Sequence, residues 1–225
     1  FGEAIKLPSH INMSGYTNTQ PNVGFDKATG KEWLFFVSDR DKGNGKLDIW
    51  ASYINEDDTF SQPFSLTLNS AGDDISPFFH NESQVLYFSS NGLKTLGGYD
   101  IFKAKKKDQN WSEPEHLPMP LNSSYDDAYY VLNEGGTSGY FASKRLGSTL
   151  LDPFYEACCF DVYSFVIDLI DLNAYTFNRK GGEPLPGVKL ELFEIIDGVE
   201  TRLTSSTNED GNDFDFELKK GHKYV

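Results

Sequence analysis

The chain has 225 residues, 34 acidic against 20 basic side chains for a net charge of −14, and 15% aromatic content. Such acidity repels phosphate backbones and no Lys/Arg stripe offsets it, which excludes nucleic acid as a partner. The length suits one large β domain or two smaller ones, and the aromatic content is ample for their core.

No stretch is apolar enough to span a membrane as a helix. The most apolar run, 160–172, is broken by Asp161, Asp168 and Asp171, each costing about 2.5 kcal/mol or more at mid-bilayer. No signal peptide is visible, and the first residue is Phe1, so the sequence reads as processed or as part of a longer chain. Short Val/Ile/Phe/Tyr runs separated by Gly, Pro, Asn and Asp, without sustained 3.6-residue periodicity, predict an all-β fold.

The first predicted element is an outer strand at 1–8, because Phe1-Gly2-Glu3-Ala4-Ile5-Lys6-Leu7-Pro8 aligns position for position with Trp111-Ser112-Glu113-Pro114-Glu115-His116-Leu117-Pro118. Phe60-Ser61-Gln62-Pro63 is a third copy. The next signal is Leu34-Phe35-Phe36-Val37-Ser38, which recurs as Leu86-Tyr87-Phe88-Ser89-Ser90 and Gly139-Tyr140-Phe141-Ala142-Ser143 at a period of a little over fifty residues. A period of that size, holding several short strands, reads as propeller blades. Both faces of the repeated strand are apolar, as needed when neighbouring blades cover it front and back. After each copy a strand opens on an aspartate, Asp48, Asp100 or Asp161. Acidic pairs, Asp73-Asp74 and Asp126-Asp127, precede the short strands 75–79 and 128–131 and suit turns, since an Asx side chain accepts bonds from nearby backbone N–H groups. One full unit is therefore predicted as strands at 75–79, 85–90, 100–105 and 111–117. The third unit lacks a Trp-Ser-Glu-Pro copy after 166, and composition changes near 168–173. The boundary is placed there, with repeats over 1–168 and a second domain over 169–225.

In the second domain Val188, Leu190 and Leu192 alternate as a half-buried strand, and Asp210-Gly211 between 201–207 and 214–218 predicts a hairpin. Short alternating strands at this spacing predict a small Ig-like or prealbumin-like β-sandwich, with a further strand beginning at Tyr224-Val225.

Chemistry-bearing motifs are sparse. His10, His80, His116 and His222 fall in different repeats or domains without metal-ligand spacing, and no GxSxG elbow occurs. Asp39-Arg40-Asp41-Lys42-Gly43-Asn44-Gly45 has Asn44 where a calcium loop needs glycine and no closing acid, so it reads as a hairpin turn. No cofactor or metal is expected. Cys158-Cys159 is the unusual pair: adjacent Cα atoms lie ~3.8 Å apart, under the usual disulfide span of ~4.4–6.8 Å. Two thiols are favoured over a vicinal disulfide, with metal binding the third alternative. The pair sits in an enlarged loop, 144–160, with Leu150, Leu151, Phe154 and Tyr155; its counterparts, 39–47 and 91–99, are far shorter. The loop either folds back on the repeats or contacts a partner.

Tyr87-Phe88-Ser89-Ser90, Gly97-Gly98-Tyr99-Asp100-Ile101-Phe102 and Trp111-Ser112-Glu113-Pro114 resemble the TolB-like (WD40-like) propeller repeats of large cell-envelope proteins. Glu183-Pro184-Leu185-Pro186-Gly187-Val188 with Asp210-Gly211-Asn212-Asp213-Phe214 resembles the carboxypeptidase regulatory-like sandwich. That succession is similar to the middle of the OmpA-family proteins of the type IX secretion and gliding system. The resemblance implies a non-enzymatic scaffold of the periplasm, associated with the outer membrane. Its partners would be secretion-system proteins, and it would hold peptidoglycan only through an OmpA-like domain that this sequence lacks. The alternative is a glycan-binding or glycan-processing propeller enzyme, whose catalytic acids should break the repeat; Asp48, Asp100 and Asp161 keep it. Closed propellers typically carry four to eight blades. About three are present, so the expectation is an incomplete propeller with blades missing before Phe1.

Overall fold

The computed structural model describes residues 2–107, 110–147, 150–152, 157–196, 198–209 and 211–225, and it is all-β, built from antiparallel ladders. The chain divides into two compact units, Phe1–Phe165 and Val166–Val225.

In the first unit one sheet pattern recurs. The first sheet orders β1 (Asn18–Asp26), β2 (Lys31–Ser38), β3 (Asp48–Ile54) and β4 (Phe64–Ser65) side by side. The second orders β5 (Asp74–His80), β6 (Val85–Ser90) and β7 (Asp100–Lys107), with β8 (Asn110–Trp111) and β9 (Glu115–His116) both pairing β7. The third holds β10 (Asp127–Leu132), β11 (Ser138–Ser143) and β14 (Asp161–Val166); β12 (Leu150–Asp152) and β13 (Ala157–Cys158) form a separate small ladder between them in sequence.

Each sheet begins with the same irregularity. The register slips after Thr19, Ile75 and Ala128, and the next residue, Gln20, Ser76 or Tyr129, has φ of 52°, 51° or 57°. A left-handed residue in a bulge bends the strand and sharpens its twist. The bulges are linked, because Ser76 N–H donates to Gln20 Oε1 at 2.6 Å and Tyr129 N–H donates to Ser76 Oγ at 3.2 Å. First strands of successive sheets thereby lie side by side, β1 by β5 and β5 by β10.

Apolar layers fill the spaces between sheets. Trp33 and Phe35 meet Phe79, Leu86, Phe88 and Phe102 between the first and second. Ile101 and Leu117 meet Tyr130 and Phe141, with Tyr87, Tyr163 and Phe165, between the second and third. The other face of β2, Leu34 and Phe36, packs on Ile11, Trp50 and Leu7. Two-faced burial therefore holds for β2 and β6. On β11 it fails, because Tyr140 is 58% exposed on the face away from the second sheet.

The expected outer strands are corrected. Residues 2–7 form no strand, and no ladder joins them to any strand among the described residues. The 111–117 strand is broken into β8 and β9. At the break Ser112 N–H bonds Lys105 O and Ser112 Oγ accepts from Lys105 N–H (3.0 Å), before Pro114, which has no N–H to offer. Ser61 repeats both bonds with Tyr53 ahead of Pro63. The Ser-x-Pro motif thus marks a side-chain bridge where the ladder lapses. No strand ladder joins the first sheet to the third among the described residues.

The second unit contains β15 (Leu169–Tyr175), β16 (Val188–Ile196), β17 (Val199–Asn208) and β18 (Asp213–Lys219), paired β15 with β18 and β16 with β17. Leu192, Phe214 and Phe216 are its buried core, with Val188 and Leu190 packed against them. The hairpin expected around 210–211 is corrected, since β17 and β18 belong to different ladders. The tight hairpin lies one connection earlier, where Ile196 pairs Val199 and Gly198 has φ of 80°. Val225 exchanges two backbone bonds with Phe193 beside β16.

Candidate functional site

The enlarged loop is only partly described. Leu150 pairs Cys158 across the β12–β13 ladder; the side chains of Leu150, Leu151 and Cys158, and all of Phe154 and Tyr155, lie outside the described residues. Cys159 is half-buried. The loop's base is well defined: Lys144 Nζ bonds Asp126 Oδ2 at 2.8 Å, and Arg145 sits over the Phe141 and Tyr163 rings at 4.8 and 5.1 Å.

The aspartates form a framework. Asp74 Oδ2 accepts from Ser70 N–H and Oγ–H (2.5 and 3.0 Å), and Asp127 Oδ2 accepts from Ser123 N–H and Oγ–H (both 2.7 Å). Their neighbours reach the preceding repeat, Asp73 taking Leu47 N–H and Asp126 taking Tyr99 N–H. Tyr99 Oη–H also donates to Asp73 at 2.9 Å, and burial together with that carboxylate raises the phenol's pKa. Burial also raises the carboxyls of Asp48 and Asp74, against the bonds they accept. In the Asp39–Gly45 turn, Asp39 accepts Thr17 N–H and Asp41 accepts Tyr16 Oη–H, so these acids fasten the turn. Among the described residues no three His, Cys, Asp or Glu side chains converge to hold a metal.

One constellation departs from the repeat. Asp100, fully buried, opens β7 as Asp48 opens β3, and its Oδ2 accepts from Leu96 N–H at 2.6 Å. The same oxygen is 2.6 Å from His116 Nε2, while Oδ1 has no hydrogen-bond partner among the described residues. His116 pairs with Phe102 across the sheet, and Ser65 occupies the matching place opposite Trp50 in the first sheet. Asn122 and Asn69 anchor the two places alike: Asn122 Nδ2 lies 3.1 Å from His116 Nε2, and Asn69 Nδ2 lies 3.0 Å from Ser65 Oγ. Both Asn122 Nδ2 protons are taken by Ile101 O (2.9 Å) and Leu117 O (2.8 Å). The network therefore assigns a proton to His116 Nε2, donated to Asp100.

The His116 ring rests edge-on against Phe102, centroids 5.1 Å apart, and lines a cavity of about 490 Å³ with Leu93, Leu96, Pro114, Lys94, Thr95 and Glu113. Its walls come from the 91–99 connection and the segment leading into β9. By sequence Asp100 reads as structural and His116 as an isolated histidine. The available signal was the misfit itself: aligned copies put Lys6, Ser65 and His116 at one position.

No family model and no curated protein matches the chain. Among solved structures it is similar to the crystal structure of alpha-L-arabinofuranosidase from Lactobacillus brevis, at 14% identity and a TM-score of 0.43 over 75% of this chain and 55% of that one. The chain thus spans little more than half the length of that protein.

Proposed function

We propose that the protein is a non-enzymatic interaction scaffold of the bacterial cell envelope. In this reading the three repeated sheets are consecutive blades of a β-propeller, and the four-stranded second unit is a carboxypeptidase regulatory-like sandwich. The observation that carries the reading is the bulge chain from Gln20 through Ser76 to Tyr129, which sets first strands side by side as an axis would require. The acids support a binding role over catalysis, since Asp48, Asp74, Asp100 and Asp127 are each fixed by backbone N–H groups of their own loops. Placement in the periplasm beside the outer membrane, with secretion-system proteins as partners and peptidoglycan held by a further domain, rests on the family resemblance.

The test is replacement of 144–160 by the 91–99 connection, followed by crosslinked pull-down from an envelope fraction. Intact melting with reduced recovery of partners is the expected outcome; undiminished recovery would remove the loop from the interface. The second reading, a glycan-processing enzyme, draws on the His116–Asp100 pair and its cavity. Turnover of any of a panel of glycans by the purified protein would favour it.

A further inference from the structure

We infer that the cavity beside His116 binds a phenolic ring, as the anchoring tyrosine side chain of a partner protein. The inference deepens the scaffold reading and rests on it for the identity of the ligand's carrier, though not for the chemistry of the site.

The lining sets the class. Leu93, Leu96, Phe102 and Pro114 supply an apolar wall, and Thr95 Oγ1 already donates to Gly97 O at 2.9 Å. With the His116 Nε2 proton committed to Asp100, the Nε2–H tautomer leaves Nδ1 as an acceptor, and no hydrogen bond to Nδ1 occurs among the described residues. His116 is 27% exposed while Asp100 is fully buried, so the ring's open side is the cavity side. The site therefore offers apolar area with one acceptor positioned by the buried Asp100, while Lys94 and Glu113, which also line it, are exposed. A sugar ring would bring several hydroxyls against Leu93, Leu96, Phe102 and Pro114, where each left unpaired costs desolvation. An alkyl alcohol would match the polarity but lose more rotor freedom than a rigid ring. A phenol matches both, with its ring on the leucines and proline and its O–H donating to Nδ1, which is the combination that makes tyrosine effective at interfaces. About 490 Å³ accommodates such a ring with room for the chain that carries it.

His116 is special to this repeat for a reason that fits. Ser65, its counterpart, is too short to reach the carboxylate, and Asp48 is instead held by Gly45 N–H at 3.2 Å to both oxygens. The second repeat keeps one such loop bond, from Leu96 N–H to Asp100 Oδ2, and adds an imidazole that also faces solvent.

The experiment titrates the full chain with p-cresol, toluene and benzoate, following the His116 imidazole and the Leu93 and Leu96 methyl resonances by NMR. The expected result is saturable binding of p-cresol, with toluene weaker by about tenfold for loss of the donor and benzoate weaker still. His116→Lys keeps an N–H donor for Asp100 but removes the acceptor, so it should melt like the parent and bind p-cresol no better than toluene. N-acetyltyrosinamide binding as well as p-cresol supports a partner's tyrosine; binding of p-cresol alone makes the ligand a free phenol and overturns the partner assignment. Toluene equal to p-cresol, benzoate preferred, or no saturable shift at these residues would overturn the site. Such a failure leaves the loop-replacement result, and with it the scaffold reading, standing.

Discussion

The second and third repeats solve the same problem with different residues. In both, a fully buried aspartate, Asp74 or Asp127, opens the first strand opposite a buried serine, Ser90 or Ser143. In the third repeat Arg145 completes the arrangement, bonding Asp127 Oδ1 at 2.7 Å, Ser143 Oγ at 2.9 Å and the carbonyls of Pro120 and Leu121. The first repeat does likewise with Arg40, which bonds Asn18, Ser38 and the carbonyls of His10 and Ile11. The second repeat has Gly92 at that position, and Asp74 Oδ1 has no hydrogen-bond partner among the described residues. Here the 70–72 strap closes onto Gly92, so that a Cβ there would lie 2.3 Å from Gly72 N and 2.2 Å from Ser70 Oγ. Backbone thus occupies the space that a guanidinium takes in the neighbouring repeats. One framework tolerates either a bridging cation or a close backbone contact, and the two are not interchangeable in place.

The strongest way to break this contrast is Gly92→Arg, which restores the residue of the other repeats but meets backbone at its first side-chain atom. It should cost roughly 4 kcal/mol or prevent folding, read by denaturant unfolding; wild-type stability would show that the strap yields freely. Arg145→Ala should follow, at about 3 kcal/mol, because it strands the buried Asp127 carboxylate. Arg40→Ala should cost less, about 1–2 kcal/mol, since its partner Asn18 carries no charge; equal losses for the two arginines would contradict the charge argument.

The smallest effect belongs to Asp74→Asn. Burial raises the Asp74 carboxyl, opposed by hydrogen bonds from Ser90 and Ser70. A carboxyl whose folded pKa is raised binds protons more readily when folded, so its stabilising contribution is complete below the ordinary carboxylate pKa. That contribution is lost as pH climbs through the raised folded value. The variant should therefore gain on the parent across that window and stay within about 1 kcal/mol of it at neutral pH. Parallel stability-versus-pH curves for variant and parent would contradict the burial effect.

Much of the repeat architecture was legible because aromatic residues recur at fixed distance and strand periodicity is local. The strands around Phe36, Phe88 and Phe141 follow directly from that pattern. The linked bulges were not legible, since Gln20, Ser76 and Tyr129 share a backbone conformation but no side-chain type. The enlarged loop was visible by length, whereas the cavity was not: Asp100 and His116 lie sixteen positions apart, and only the return of β9 beside β7 brings them together.

Sequence by itself determined the all-β class, the fifty-odd-residue period, the strands that are apolar on both faces and the acidic turns, because each depends on neighbours within a few residues or on simple recurrence. Tertiary structure alone decided which copies of a motif become strands and which acids gain a partner. An outer strand exists only where another strand's N–H and C=O groups lie alongside it, as for β9 and not for 2–7. A buried carboxylate is likewise fixed by whatever donor the fold delivers: Arg145 to Asp127, His116 to Asp100, and to Asp74 the hydroxyl and amide of its own strap together with Ser90.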